Sequence, residues 1–140
     1  MATTKEELLK ELNKDLEWEY AAAIQYVQHA ATITGPQYES FIKELVTHAD
    51  EEMQHANQVA EQIDFLGGTP TLEVEQRKAD PDSKKMLEID LGEEERAIKR
   101  YKERIAQATE LGEYGLKRVL EDILLTEEEH KRDLMTVLDQ

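Results

Sequence analysis

Two pairs of residues in this chain combine a glutamate with a histidine three positions later, Glu52 with His55 and Glu127 with His130. Residues three apart on an α-helix project from the same face, and a carboxylate with an imidazole suits iron or manganese. Both pairs replace apolar residues in an apolar stripe at helical spacing. Burying them is costly unless they are paired or bind a metal, so the pairs indicate a metal site.

Two single glutamates interrupt the apolar stripes of two other predicted helices. Glu19 follows Leu16, and Glu94 follows Leu91, at helical spacing. With the two pairs they supply four carboxylates, enough to neutralise two divalent ions. Two metals about 3.5–4 Å apart can share an oxygen ligand, and each could give one electron to dioxygen or peroxide. A buried polar network without metal is the alternative that the residues leave open.

The elements that must position these residues are four long amphipathic helices, predicted at about 4–34, 37–66, 83–111 and 113–138. Thr3 and Thr4 each precede a glutamate by three residues, as in a helix-capping box. Gly35-Pro36 ends the first helix, and Gly67-Gly68 follows the second.

The connections between the helices predict their arrangement. Short turns join the first helix to the second and the third to the fourth, so each of these pairs is antiparallel. The segment from Gly67 to Asp82 spans at most about 50 Å, enough to run along a helix about 45 Å long, so the second and third helices are parallel. We therefore predict one domain over residues 1–140, an all-α antiparallel four-helix bundle with one long crossover. The helix midpoints then share one level, where the polar residues of the four stripes converge.

The composition limits the classes of partner and metal site that are expected for the chain. The formal net charge is −15, which attracts cations and repels nucleic-acid phosphates and anionic membranes, so neither nucleic acid nor membrane is an expected partner. The chain has no cysteine, which excludes thiolate-bound zinc and iron–sulfur clusters. It has no signal-peptide h-region and no membrane-spanning run, so a soluble cytoplasmic protein is expected.

Four motifs carry a resemblance to a known family: Glu19 with Ala22-x-x-Gln-Tyr-x-x-His-Ala30, Asp50-Glu-Glu-Met-Gln-His-Ala56, Asp90-Leu91 with Glu94, and Glu127-Glu-x-His130. Over nearly its whole length the chain resembles the bacterioferritin branch of the ferritin-like di-iron carboxylate superfamily. The resemblance implies two iron ions per subunit, with manganese as the alternative, and oxidation of Fe(II) by dioxygen or peroxide in iron storage and detoxification. It implies that the ligands and catalytic residues are Glu19, Glu52, His55, Glu94, Glu127 and His130, with Glu52 and Glu127 bridging.

Two departures from the family bear on the function. Only ten residues follow His130, so the short fifth helix of bacterioferritins is not expected, and the assembly is left open between a closed cage and a small homo-oligomer, at least a dimer. The position three after Glu94 is Ala97, unlike the rubrerythrin pattern. Two other functions remain open: a di-iron or di-manganese oxidoreductase that consumes peroxide or oxidises an organic substrate without storing iron, and a bundle that only sequesters metal.

Further residues are expected near the site. Tyr26 and Tyr101 each lie seven residues after a ligand glutamate, so their hydroxyls could hydrogen-bond the site, and ordinary core tyrosines are the equal alternative. His48 could contact the ligands from outside or lie on the route of iron, although a satisfied core histidine is commoner. Glu51 could orient a ligand histidine, although a surface acid is commoner.

A group of residues off the stripes predicts association. Met53 occupies the position of the haem-ligating methionine of bacterioferritins, so it is a candidate haem ligand, although an ordinary interface or core methionine is favoured. With Trp18 and Val46, Met53 is expected to form an apolar patch for a partner subunit.

Overall fold

The computed structural model describes residues 2–139 and contains, in that range, four α-helices and no strand. The helices are α1 (Lys5–Thr32), α2 (Ile42–Phe65), α3 (Ser83–Glu110) and α4 (Tyr114–Leu138), and a short 3-10 turn (Glu39–Phe41) precedes α2. The prediction of an all-α fold is confirmed.

The helix ends follow from local sequence. The Thr4 hydroxyl accepts a hydrogen bond from the Glu7 amide at 3.1 Å, and the Thr4 amide donates to the Glu7 carboxylate, which completes the capping box. Gly35 has a φ of 114° and Gly112 a φ of 71°, backbone conformations that cost glycine little. The first helix ends two residues earlier than expected, and the turn after Gly35 continues through i→i+3 bonds, so the second α-helix begins later than residue 37.

Hydrogen bonds between helix ends show how the helices are oriented relative to one another. The Thr3 amide donates to the carboxylate of Glu110 at 3.2 Å, and the Thr34 amide donates to the Ser83 hydroxyl at 2.9 Å. The start of α1 therefore lies beside the end of α3, so these helices are antiparallel. Because α1–α2 and α3–α4 are joined by short turns, α2 and α3 are parallel. This is the predicted one-crossover bundle.

The crossover segment, residues 66–82, is fastened along α1. The Asn13 side chain donates to the Thr69 carbonyl at 3.0 Å and accepts from the Thr71 amide at 2.9 Å. Further along, the Gln25 side chain donates to the Lys78 carbonyl at 3.3 Å. These bonds hold the segment against the bundle and bring it past the middle of α1.

Two apolar clusters form the core, one on each side of the helix midpoints. Buried members of the first include Leu12, Leu16, Val59, Ile63, Leu120 and Ile123. Buried members of the second include Phe41, Leu45, Leu87, Leu134 and Val137. Burial of each large side chain stabilises the fold by about 1.5–3 kcal/mol, and the layer at the helix midpoints lies between these two packed clusters. None of the helices in residues 2–139 has the length and apolarity that a bilayer crossing requires.

Candidate metal centre

Every helix of the bundle sends polar side chains into the layer between the two apolar clusters. They occupy the stripe positions, whose neighbours one turn away along each helix are core residues. None of them is more than 5% exposed: Glu19, Glu52, His55, Glu94, Glu127 and His130. The six predicted ligand residues therefore lie together in the interior.

The six residues fall into two overlapping groups. Glu19, Glu52, His55 and Glu127 form one, and Glu52, Glu94, Glu127 and His130 form the other. In each group the candidate ligand atoms all lie within 4.8 Å of one another. Glu52 and Glu127 belong to both groups, which is the arrangement needed for two ions that share carboxylates.

Both histidines direct Nδ1 towards the carboxylates. The Nδ1 of His55 lies 3.3 Å from Glu52 Oε1 and 3.3 Å from Glu127 Oε1. The Nδ1 of His130 lies 3.3 Å from Glu94 Oε1 and 3.4 Å from Glu52 Oε1. Nδ1 is therefore the nitrogen of each ring that faces the carboxylates of the layer.

Many polar atoms of the layer lack a hydrogen bond within the described part of the chain. They are Glu19 Oε2, Glu52 Oε1, His55 Nδ1, Glu94 Oε2 and both carboxylate oxygens of Glu127. A buried polar group without a partner costs about 1–3 kcal/mol. Since these atoms are the ones that face one another, the residues fit a pair of divalent cations well.

The electrostatics favour cations in the same place. Burial raises the pKa of Glu127 well above its usual value, and the charges of Glu52, Glu94 and Glu19 raise it further. Burial also raises the pKa of Glu52 to about 7. Without a cation, clustered carboxylates hold protons that they would lose in water.

The pKa values of the two histidines and of Glu19 are shifted by the contacts between imidazoles and carboxylates. Burial alone would lower the pKa of His55, but Glu19 and Glu52 outweigh it and raise the pKa to about 10. Burial would also lower the pKa of His130, but neighbouring carboxylates, mainly Glu94 through its hydrogen bond, outweigh this effect and raise the pKa to about 9. Burial would raise the pKa of Glu19, but His55 outweighs it and the pKa is lowered. Without a metal ion, the protonated imidazoles of His55 and His130 therefore supply positive charge next to the carboxylates.

Two buried tyrosines each bind one of the single glutamates. The Tyr26 hydroxyl donates to Glu94 Oε1 at 2.7 Å, and the Tyr101 hydroxyl donates to Glu19 Oε1. Burial raises the pKa of both tyrosines well above the usual value, so both remain donors. Each bond engages one carboxylate oxygen and leaves the other, Oε2, without a hydrogen bond in the described structure.

Comparison with known proteins agrees with this geometry. The sequence profile of the ferritin-like domain matches residues 9–140. The chain belongs to the ferritin-like family. A bacterioferritin of Brucella melitensis biotype 1 is 32% identical to it over 133 residues, which cover 94% of this chain and 83% of the relative.

Other relatives of this ferritin-like chain have different names. A nutrient stress-induced DNA-binding protein of Nostoc sp. is 29% identical over 119 residues, 78% of this chain and 65% of the relative. A crystal structure of ferritin-like, di-iron carboxylate proteins from Bacillus anthracis str. Ames superposes with a TM-score of 0.93 at 36% identity and covers 99% of both chains. The predicted resemblance and fold are both confirmed.

Two further predicted residues lie against His130. The Glu51 carboxylate lies 3.3 Å from its outer nitrogen, Nε2. The His48 ring stacks on the His130 ring with centroids 3.9 Å apart. Burial, followed by the charge of His130, lowers the pKa of His48 to about 4, so this ring is neutral at pH 7.

The predicted apolar patch differs from the observed one. Met53 and Val46 are exposed and lie with Ile24 and Val27 on the outer face of α1 and α2. Trp18 does not belong to this patch: its ring contacts the guanidinium groups of Arg77 and Arg100 at 5.7 Å and 5.1 Å. The expectation for Trp18 was wrong because the crossover segment brings Arg77 onto it. The haem prediction for Met53 stays a prediction.

Sequence reasoning missed the residues that cover the layer from outside. A narrow cleft leads from Trp18, Arg77 and Arg100 to the buried carboxylates. Arg77 comes from the crossover, which has no periodicity to predict where its side chains lie.

Two buried pairs of polar side chains were also missed. Asp15 accepts a hydrogen bond from Arg104 at 2.7 Å, and His29 Nδ1 lies 2.8 Å from Asp90 Oδ2. Asp15 and Arg104 lie beside the apolar stripes, where the sequence predicted neither burial nor pairing. The signal that could have revealed the Asp15–Arg104 pair is an acidic residue next to the apolar stripe of α1 and a basic residue next to the stripe of α3.

Proposed function

We propose that this ferritin-like protein is a di-iron ferroxidase, which binds two Fe(II) ions per chain and oxidises them with dioxygen or peroxide in iron storage and detoxification. The observation that carries the proposal is that Glu52 and Glu127 belong to both ligand groups. The bacterioferritin relatives and the di-iron carboxylate structure support the same chemistry at the level of the family.

Each of the six residues has a role in this proposal. His55 with Glu19 binds one ion, His130 with Glu94 binds the other, and Glu52 and Glu127 bridge them. Four carboxylates offset the charge of two divalent ions, and oxygen and imidazole ligands suit iron, with manganese as the alternative. Bound iron supplies the electrons, one from each Fe(II), to the oxidant.

The tyrosines position the two single glutamates for this role. Each hydroxyl engages Oε1 of its glutamate, at Glu94 for Tyr26 and at Glu19 for Tyr101. Oε2 therefore remains as the atom that each carboxylate offers to an ion. Glu51 would orient His130 through its outer nitrogen, as carboxylates commonly do for metal-bound histidines.

The test is the rate of Fe(II) oxidation after anaerobic loading and rapid mixing with dioxygen or hydrogen peroxide. Glu94→Ala and His130→Ala should each slow oxidation by more than about 100-fold, because even residues that merely support metal ligands are worth 10–100-fold. Glu95→Ala, which changes an exposed neighbour on α3, should oxidise iron at the normal rate. Unchanged rates and iron stoichiometry in the two ligand variants would refute the site.

The same samples distinguish the rival functions. Light scattering, with bound iron measured per chain, should show a large assembly that retains many ferric ions if iron is stored. Catalytic turnover with about two metals per chain and no retained iron would instead indicate a non-storing oxidoreductase. Metal binding without accelerated oxidation would indicate passive sequestration.

The proposal includes partners. The exposed Val46 and Met53 lie within an apolar surface that a second copy of the chain would cover, so the protein is proposed to be at least a dimer. The net charge of −15 disfavours nucleic acid as a partner of this chain, and a cytoplasmic location stays a prediction.

A further inference from the structure

A second cluster of potential metal ligands lies where α2 faces α4. Glu44, His48 and Asp133 each offer one ligand atom, and these atoms all lie within 4.8 Å of one another. None of the three belongs to the proposed di-iron ligand set. The His48 imidazole is 1% exposed, while the Asp133 side chain is 44% exposed and Glu44 is exposed. A buried nitrogen therefore faces two carboxylates that solvent can reach.

The distances suit a shared cation. His48 Nε2 lies 3.2 Å from Asp133 Oδ2. Nitrogen and oxygen ligands lie about 2.0–2.2 Å from a bound zinc ion, so two neighbouring ligands of one ion lie about 3–3.5 Å apart for angles between 90° and the tetrahedral angle. His48 and Asp133 already have that separation. Glu44 is exposed, so its side chain is free to move onto the same ion.

The neighbours of His48 hold its ring in a fixed orientation. The ring stacks on His130 with centroids 3.9 Å apart. Tyr26 and Phe41 pack against it edge-on, with centroids 5.0 Å and 6.1 Å away. Its Nδ1 is buried and has no hydrogen bond to any described residue. The ring is thus positioned by packing, and Nε2 makes its polar contact with Asp133.

We propose that Glu44, His48 and Asp133 form a third cation site, which binds one divalent ion of the first transition series. Imidazole with two carboxylates is a ligand set for such ions, and the two carboxylates offset the charge of the ion. The ion binds Nε2, and the proton of the neutral ring then lies on Nδ1. The site opens to solvent between α2 and α4, and the stacked rings of His48 and His130 separate it from the di-iron layer.

The test is calorimetric titration of the metal-free full-length protein with Co(II), which dioxygen does not readily oxidise at such sites, at about 0.15 M salt to screen weak surface binding. The wild-type chain should bind three ions, and Glu44→Gln/Asp133→Asn should bind two. The control Glu61→Gln/Glu121→Gln removes the same charge from exposed positions of the same two helices and should still bind three. His48→Phe, which keeps an aromatic ring in the stack, should also bind two.

Each outcome decides the proposal. Two ions in the wild-type chain, or three in Glu44→Gln/Asp133→Asn, would overturn it, and so would three in a folded His48→Phe variant. If the di-iron layer binds nothing, the proposed function fails, but the third site predicts one ion in the wild-type chain and none in Glu44→Gln/Asp133→Asn. Failure of one proposal is therefore distinguishable from failure of the other.

Discussion

Replacing Glu127 by leucine should stabilise the metal-free protein and remove its stabilisation by metal. The Glu127 side chain is 0% exposed, and neither carboxylate oxygen has a hydrogen bond within residues 2–139. Burial and three neighbouring carboxylates raise its pKa well above the usual value. Leucine is similar in size and removes the buried acid, while His55 keeps Glu19 and Glu52 as partners.

The magnitude follows from the burial of Glu127. A buried polar group without a partner costs about 1–3 kcal/mol, and replacing buried ionic groups by apolar ones often stabilises a protein by about 1–4 kcal/mol. We expect a gain of about 2 kcal/mol, which raises Tm by roughly 6 °C in a chain of this size. In the wild-type protein, free metal at 100 times its Kd adds about 2.7 kcal/mol per site. The variant is therefore more stable without metal, and the wild-type protein is more stable with it.

Thermal unfolding followed by circular dichroism, with and without Mn(II), measures both effects. Glu129→Leu is the matched control, because Glu129 is exposed on the same helix and leucine and glutamate have similar helix propensities. Its Tm should stay close to that of the wild-type protein in both conditions. A metal-free Glu127→Leu protein less stable than wild type, or one that keeps the full metal-induced rise in Tm, would refute the reasoning.

The remaining predictions concern pH, protons and a buried ion pair. Without metal, the pKa of Glu52 is raised to about 7 and that of His55 to about 10, so the native chain binds extra protons and its stability falls as pH rises from about 5 to 9. The lowered pKa of Glu19 affects stability only below this range. The pKa of His48, lowered to about 4, opposes the trend up to about pH 6.5, so the fall is steepest above that pH, and melts that show rising stability there would contradict it. Metal binding at pH 7 should release protons, and a pH-stat titration without release would count against these ligands. Arg104→Met leaves the buried Asp15 with only a 3.7 Å contact to Arg100 and should lower the free energy of unfolding, measured in urea, by about 3–5 kcal/mol. The double variant Asp15→Leu/Arg104→Met should recover most of this loss. A loss below about 1 kcal/mol in Arg104→Met would contradict the pairing.

The sequence predicted the bundle because helical periodicity and loop length determine it almost completely. Polar residues at Glu52, His55 and Glu127 stand out only against an apolar stripe, so the same pattern that predicts the helices also predicts the site. The position of the layer at the helix midpoints followed from similar helix lengths and one crossover. These are local properties of the chain.

Contacts made by irregular segments were beyond that reasoning. Arg77 lies in the crossover, where no repeat predicts the direction of a side chain, and it changes the surroundings of Trp18. The start of α2 depends on whether the turn after Gly35 continues as 3-10 or α helix, and 3-10 turns are frequent at the ends of α-helices. The approach of Glu44 and Asp133 to His48 depends on the rotation of α2 relative to α4, and such a rotation leaves no mark on either helix alone.

The most direct measurement of the central claim is anomalous diffraction at the iron edge from crystals soaked anaerobically in Fe(II). We predict two iron peaks about 3.5–4 Å apart, between Glu52 and Glu127, with one next to His55 Nδ1 and the other next to His130 Nδ1. No anomalous peak in this layer, with iron only at surface carboxylates, would contradict it.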